Sequence, residues 1–289
     1  SEALLLLSTG ALAENLPSIS VCAGSEDAMN LNAAHVDTLE GLSACRHIFE
    51  GLYKLDQDGN IVLGQAASAE TSEDGLTWTF TLRGDINWSD GEAVKAADFI
   101  YSWDYLEAES DSYSSLLNMV SSYEAPDDQT LVLTLEFPCA YLPSILCFPS
   151  TYPVRQDLVE EFGESYATDP EKAVYNGAYI VTDWTHQADL TMEKRAEYYD
   201  ADSITVDEIV WQLMTDSTTK QAAFQSGEII FSDAVVEETA SSLEGMGLQY
   251  ESGYNNYTCL FNLSSGNEVL QDANVRKALC LRSEERRVG

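Results

Sequence analysis

Trp78, Phe80 and Leu82 alternate with Thr79, Thr81 and Arg83, the period-two pattern of a strand buried on one face. Gly84-Asp85 breaks the pattern, and Trp88-Ser89-Asp90-Gly91 predicts a tight turn, because Gly tolerates positive φ and Asp bonds its own backbone. From Ala96 the period becomes helical. Phe99, Ile100, Trp103 and Leu106 share one face, and Asp98 falls in the first turn, where the helix dipole favours an anion. This aromatic-rich stretch is read as packing. It holds no nucleophile, metal site or phosphate cradle.

The same reading extends along the chain. Ile19–Ala23 predicts a strand, residues 24–32 a polar loop and Leu42–Leu52 a helix. Residues 51–62 predict a hairpin closed by Asp58-Gly59. After the central helix come a Ser-rich segment at 110–122 carrying Tyr113, a turn at 123–129 and an alternating strand at 130–136. Pro138, Pro143, Pro149 and Pro153 then disfavour strands. A short helix is predicted at 157–166, and a connector at 168–178 runs into Asn176-Gly177-Ala178-Tyr179. Strands are predicted at 179–183, 188–195, 207–213, 229–232, 249–252 and 257–263, and helices at 217–226 (capped by Gly227), 235–244 and 272–281. Strands and helices mixed in this way predict an α/β or α+β fold with more than one subdomain.

Composition narrows the function classes. The chain has 289 residues, 45% hydrophobic and 10% aromatic, enough for a packed core. Its 49 acidic and 14 basic residues give a net charge of −35, which repels nucleic acid and anionic lipid. Residues 3–7 are an apolar run too short to span a bilayer, and Ala11-Leu12-Ala13 before Glu14 matches the small-residue pattern of leader cleavage. Residues 1–13 are therefore expected to be a partial signal peptide, with no lipid-acceptor cysteine at the cleavage point. The alternative is a buried N-terminal strand or helix.

The six cysteines contain no C-x-x-C pair, which excludes zinc-ribbon and thioredoxin-like readings. A Cys139–Cys147 bridge, a Cys22–Cys259 bridge and free buried thiols all remain open. Asp56-x-Asp58 starts like a calcium loop, but Ile61 stands where the loop needs Gly and Ala67 where it needs Glu, so a hairpin turn is expected. His35, His47 and His186 have no metal-ligand spacing, and no esterase, zincin or phosphate-loop motif occurs.

Seven pieces stand in order: Ile48-Phe49-Glu50-Gly51-Leu52, Trp78-Thr79-Phe80-Thr81-Leu82-Arg83, Trp88-Ser89-Asp90-Gly91, Asp98-Phe99-Ile100-Tyr101-Ser102-Trp103, Asn176-Gly177-Ala178-Tyr179, Gln225-Ser226-Gly227-Glu228-Ile229 and Asn274-Val275-Arg276-Lys277-Ala278-Leu279. Each is short; their collinear order resembles the periplasmic solute-binding proteins that serve peptide-type transporters of the ATP-binding-cassette class. The resemblance implies an α/β chain, the first lobe of a two-lobed periplasmic-binding-protein-like fold with an inserted α+β subdomain. Residues 14–52 and 171–270 would form the α/β part, 53–170 the insertion, and 271–289 the start of a second lobe. Lys95 stands where the family often has a Thr N-cap. Five of the 14 basic residues fall at or after Arg276, a shift that suggests non-native sequence at Arg282–Gly289, with a genuine divergent tail as the alternative.

The resemblance places ligand contacts on Asp37, Thr38 and Leu39, after the first strand, and on Tyr113 in the insertion. Asp37 would meet a ligand cation, the backbone at Thr38-Leu39 would pair with an extended peptide, and Tyr113 would offer its ring and hydroxyl. For each, an ordinary surface loop is the competing reading. The implied function is a non-catalytic extracytoplasmic receptor, in the periplasm or at the cell surface. It would capture peptides as a monomer and deliver them to membrane permease subunits, with no cofactor, metal or nucleic acid. The alternatives are a secreted acidic hydrolase using paired carboxylates, or a binding protein for a sugar or nickel chelate.

Overall fold

The computed structural model describes residues 3–7, 17–24, 30–36, 38–108, 113–233, 248–252 and 275. The chain divides into a unit spanning Ala3–Glu251 and another made of Ser1–Glu2 with Ser252–Gly289; the account below concerns the first. In chain order its elements are β1 (Ala3–Leu7), β2 (Ile19–Cys22), α1 (Leu39–Ile48), β3 (Tyr53–Leu55), β4 (Ile61–Leu63), β5 (Ala66–Thr71), β6 (Thr77–Leu82), α2 (Ala96–Ala108), β7 (Val120–Asp127), β8 (Thr130–Leu135), α3 (Leu142–Leu146) and α4 (Gln156–Phe162). There follow β9 (Tyr179–Thr185), β10 (Asp189–Lys194), β11 (Glu208–Gln212), α5 (Ser217–Ser226), β12 (Phe231–Ser232) and β13 (Leu248–Ser252).

Two sheets organise these elements. The larger has seven strands in the order β13-β1-β12-β2-β11-β10-β9. Its middle strand, β2, lies parallel to both neighbours, with Val21 opposite Trp211 of β11 and Phe231 of β12. The smaller sheet is antiparallel, β5-β6-β8-β7, and the β3-β4 hairpin stands apart. Among the described residues, every strand of the smaller sheets lies within 53–170 and every strand of the larger sheet lies outside it.

The alternating strands form as their patterns require. Leu131, Leu133 and Leu135 of β8 point into the core with Phe80 and Leu82 of β6. Helix α2 covers this layer through Phe99, Trp103 and Leu106. Trp103 donates its indole N–H to the Thr151 carbonyl at 2.9 Å, and Ser102 donates to the Tyr152 carbonyl at 2.6 Å, so the proline-rich segment docks on the helix. Lys95 needs no capping side chain of its own. The Asp98 carboxylate accepts from the Lys95 amide at 2.9 Å and from the Trp88 indole at 3.1 Å, which closes half a capping box and seats the turn. Burial raises the Asp98 pKa, and these two donors oppose the shift.

Several expectations are corrected. The first helix runs Leu39–Ile48 rather than Leu42–Leu52, because Thr38 caps it, its hydroxyl accepting from Gly41 N at 3.2 Å. Residues 123–127, expected as a turn, complete β7. Pro126 is tolerated because β7 is an edge strand, and the turn shrinks to Asp127–Gln129. Strand β5 was not anticipated. Apart from these corrections, residues 3–7 form β1, which pairs antiparallel with β12, Leu5 opposite Ser232. Cys22, Cys45, Cys139 and Cys147 are buried free thiols, one of the alternatives the sequence left open. As expected, Asp56 closes the β3-β4 hairpin, accepting from the amides of Asp58 at 2.9 Å and Asn60 at 2.8 Å. The elements expected at 235–244, 257–263 and 272–281 lie outside the described residues, Val275 excepted. No helix of the described residues is long and apolar enough to cross a membrane.

Candidate functional site

In open sheets with parallel strands, ligands bind beyond the carboxyl ends of the strands. Here β2, β11 and β12 point the same way, and their carboxyl ends are tied by a polar clamp. Lys220 of α5 is buried and donates to the Gly24 carbonyl and to Asp233 Oδ1, both at 2.8 Å. Asp233 Oδ2 accepts from Gly24 N at 2.6 Å, and the Trp211 indole donates to the Ala23 carbonyl at 2.8 Å. Helix α5 holds Lys220 in place between an Asp216 N-cap and Gly227, which takes the left-handed conformation (φ 79°) at its end.

From this clamp the chain passes through a buried segment, Leu31 to Val36, to Thr38 and α1. Thr38 is therefore an N-cap. Leu39, in the first turn, is 66% exposed, the most open of the large apolar side chains described. Tyr113 belongs to a different element, and its ring packs against Phe148 at 4.8 Å. Asp37 lies outside the described residues. The structure thus joins Thr38 and Leu39 at one helix start and sets Tyr113 on the proline-rich segment.

The opposite end of α1 carries a polar hub that sequence reasoning missed. Glu50 is buried, and its carboxylate accepts from Tyr198, from Tyr199 at 2.8 Å and from Gln65 at 3.3 Å, with the Lys54 ammonium at 3.4 Å. Lys54 also donates to the hydroxyls of Tyr198 at 3.0 Å and Tyr199 at 2.9 Å. Burial works against the Lys54 charge, but Glu50, Tyr199 and Asp200 outweigh it and raise its pKa. Asn176 brackets the Glu50 backbone, accepting from its N–H at 3.1 Å and donating to its carbonyl at 2.9 Å. Arg195 is buried and donates to the carbonyls of Tyr175 at 2.8 Å, Gly177 at 3.3 Å and Asn87 at 2.6 Å. The recurring sequence pieces around Glu50, Asn176 and Trp88 are therefore joints of one scaffold. The adjacent tyrosines at 198 and 199, shortly after Lys194-Arg195 in an acidic chain, were the available signal.

His47 sits on the last turn of α1, between the rings of Tyr179 and Trp211 at 6.2 and 5.9 Å. Its Nδ1–H donates to the Ser43 carbonyl at 2.8 Å. Burial lowers its pKa below the ordinary 6.5, and the Ser43 bond opposes this. Folding therefore disfavours the protonated ring. The contribution of His47 to stability is complete above pH 6.5 and is lost as pH falls through that value toward the lowered one. The melting temperature of a His47→Gln variant should fall less steeply than the parent's between about pH 6.5 and 5. Parallel curves would refute this.

Among the described residues no group of His, Cys, Asp and Glu is placed to hold a metal ion. Residues 60–281 match the model for bacterial extracellular solute-binding proteins, family 5 middle region, and the chain belongs to that family. It is 28% identical over 261 residues to the dipeptide-binding protein DppE of Bacillus subtilis, covering 84% of this chain and 47% of that protein. It is 31% identical over 259 residues to the periplasmic oligopeptide-binding protein OppA of Escherichia coli, covering 78% and 46%. The structure of Listeria monocytogenes OppA bound to peptide superposes with a TM-score of 0.70 at 28% identity, covering 75% of this chain and 46% of that one. The chain spans about half the length of these relatives.

Proposed function

We propose that this chain is the first-lobe portion of the extracytoplasmic substrate-binding component of an ABC importer. It captures di- and oligopeptides without catalysis, as a monomer, and hands them to permease subunits in the membrane. The observation that carries this reading is the family match along 60–281, whose relatives are named for dipeptides and oligopeptides. The exposed Leu39 at the capped start of α1, beyond the carboxyl end of β2, supplies an apolar contact and unsheathed backbone for an extended ligand. On the family resemblance Asp37 and Tyr113 are further ligand contacts, Tyr113 from the proline-rich segment where its ring meets Phe148. The distribution of strands between the sheets supports an insertion at 53–170 within an α/β part at 14–52 and 171–270, and the family resemblance would start a second lobe at 271. The Ala11-Leu12-Ala13 pattern supports export.

Thermal-shift measurements on the full-length gene product, with peptide pools, a sugar panel and nickel chelates, test this reading. Peptides should raise the melting temperature, and Leu39→Asp should weaken peptide binding about tenfold. A shift with a sugar or chelate and none with any peptide would overturn the peptide assignment.

A further inference from the structure

A cavity of about 570 Å3 lies at the C-terminal end of α1, within the size range of small-molecule sites. Thr38 and Leu39 sit at the other end of this ten-residue helix, roughly 15 Å away at 1.5 Å per residue. The cavity is thus separate from the peptide face.

Its polar wall falls into two groups. Glu50, Lys54, Tyr198 and Asp200 are already matched: Lys54 lies 3.4 Å from Glu50 and 3.5 Å from Asp200, and Tyr198 donates to Glu50. Arg46 and Asp58 are different. Both line the cavity, and among the described residues neither the guanidinium nor the Asp58 carboxylate has a hydrogen-bond or ion-pair partner. The rest of the lining includes aromatic and aliphatic residues. The hydroxyls of Tyr152 and Tyr179 donate to the carbonyls of Cys147 at 2.9 Å and Val206 at 3.0 Å, and their rings, with Phe49, are buried, so the open apolar part of the lining is Leu55, Ala178 and Ile204. The His47 Nδ1–H is donated to Ser43, so Nε2 carries a free lone pair.

We propose that this cavity is a second small-molecule site, for a compact zwitterion the size of a free amino acid. Its carboxylate lies on the Arg46 guanidinium, where planar two-point pairing is available. Its ammonium faces Asp58 and the negative end of the α1 dipole. Its side chain packs on Leu55, Ala178 and Ile204. A simple anion is disfavoured by the lining carboxylates Asp56, Asp58 and Asp200, and a simple cation leaves Arg46 unmatched. The proposal rests on this geometry alone and stands whether or not the chain carries peptides.

The test follows the His47 ring C–H resonance in the purified chain, where His35 and His186 serve as internal references. L-leucine should shift His47 saturably and leave the other two unmoved. Leucine amide, which lacks the carboxylate, and N-acetyl-leucine, which lacks the ammonium, should each bind about tenfold or more weakly. Arg46→Gln and Asp58→Asn should each weaken leucine by a similar factor. Both residues are exposed, so the folds should survive, and the two analogues test the same contacts without substitution. Three results would overturn the proposal: no His47 shift up to about 20 mM leucine, amide binding as tight as the free amino acid, or affinity unchanged by both substitutions.

Discussion

Glu50→Ala should lower the melting temperature by about 6–12 °C, the equivalent of roughly 3 kcal/mol in a unit of this size. The carboxylate is the common acceptor for Tyr198, Tyr199 and Gln65 and the main counter-charge of Lys54. Removing it strands the Tyr198 hydroxyl, while Tyr199 and Gln65 keep longer bonds to the Gly64 and Asn176 carbonyls, both at 3.3 Å, and a stranded buried group costs about 1–3 kcal/mol. Two features soften the loss. The Lys54 side chain is 25% exposed, and Asp200 remains 3.5 Å from its ammonium. The estimate therefore sits at the low end of what breaking a buried ion pair costs. Glu50→Gln keeps the shape and one acceptor oxygen and should lose about half as much. Lys54→Met in the Glu50→Gln background should add less than it does alone, because the two side chains share one network. Urea unfolding of the four proteins checks this. A Glu50→Ala protein melting within about 2 °C of the parent, or strictly additive single and double variants, would show that the hub adds no net stability.

The legible part of the fold was the part governed by local pattern. The alternation in β6 and β8, the helical face of α2 and the Gly227 cap are each decided within a few residues, and each forms as expected. Errors arose where a distant partner decides. β5, with the sequence Ala-Ala-Ser-Ala-Glu-Thr, has little strand propensity, and it forms because β6 offers an unpaired edge. Pro126 was read as a turn signal, yet the edge position of β7 makes its missing N–H harmless. The candidate site divides in the same way. Thr38 was named for its backbone, and its measurable role is to cap α1. The hub could not be read, because Glu50 meets Tyr198 across 148 residues of chain and no periodicity encodes that contact. Its members were visible only as recurring pieces without an assigned chemistry.

Gly177→Ala should destabilise the chain by about 3 kcal/mol through steric contact alone. A Cβ at this position would lie 2.5 Å from the Ile48 carbonyl carbon, 2.7 Å from Phe49 N and 2.8 Å from the His47 carbonyl oxygen. All three are backbone atoms in the last turn of α1, so no side chain can rotate aside, and ordinary carbon contacts need about 3.5–4.0 Å. The loop cannot retreat freely either. Gly177 N donates to the Ile48 carbonyl at 2.9 Å, Asn176 holds the Glu50 backbone from both sides, and Arg195 draws the Tyr175 and Gly177 carbonyls the other way. Relieving the clash must stretch one of these sets, and either one disturbs a buried charge, Glu50 or Arg195. Gly177 does not adopt positive φ, so Ala is conformationally acceptable there and the unfolded-state effect favours it by about 0.4–1 kcal/mol. Gly59→Ala provides the contrast: its Cβ would meet nothing within 4 Å, but φ is 78°, so its loss of about 1 kcal/mol is conformational. Denaturant melts should therefore rank Gly177→Ala well below Gly59→Ala. The Gly177 variant should also shift the His47 resonance, since the added methyl group presses on the turn that carries that ring. A Gly177→Ala protein as stable as the parent, with His47 unmoved, would mean that the loop and α1 are not locked together as described.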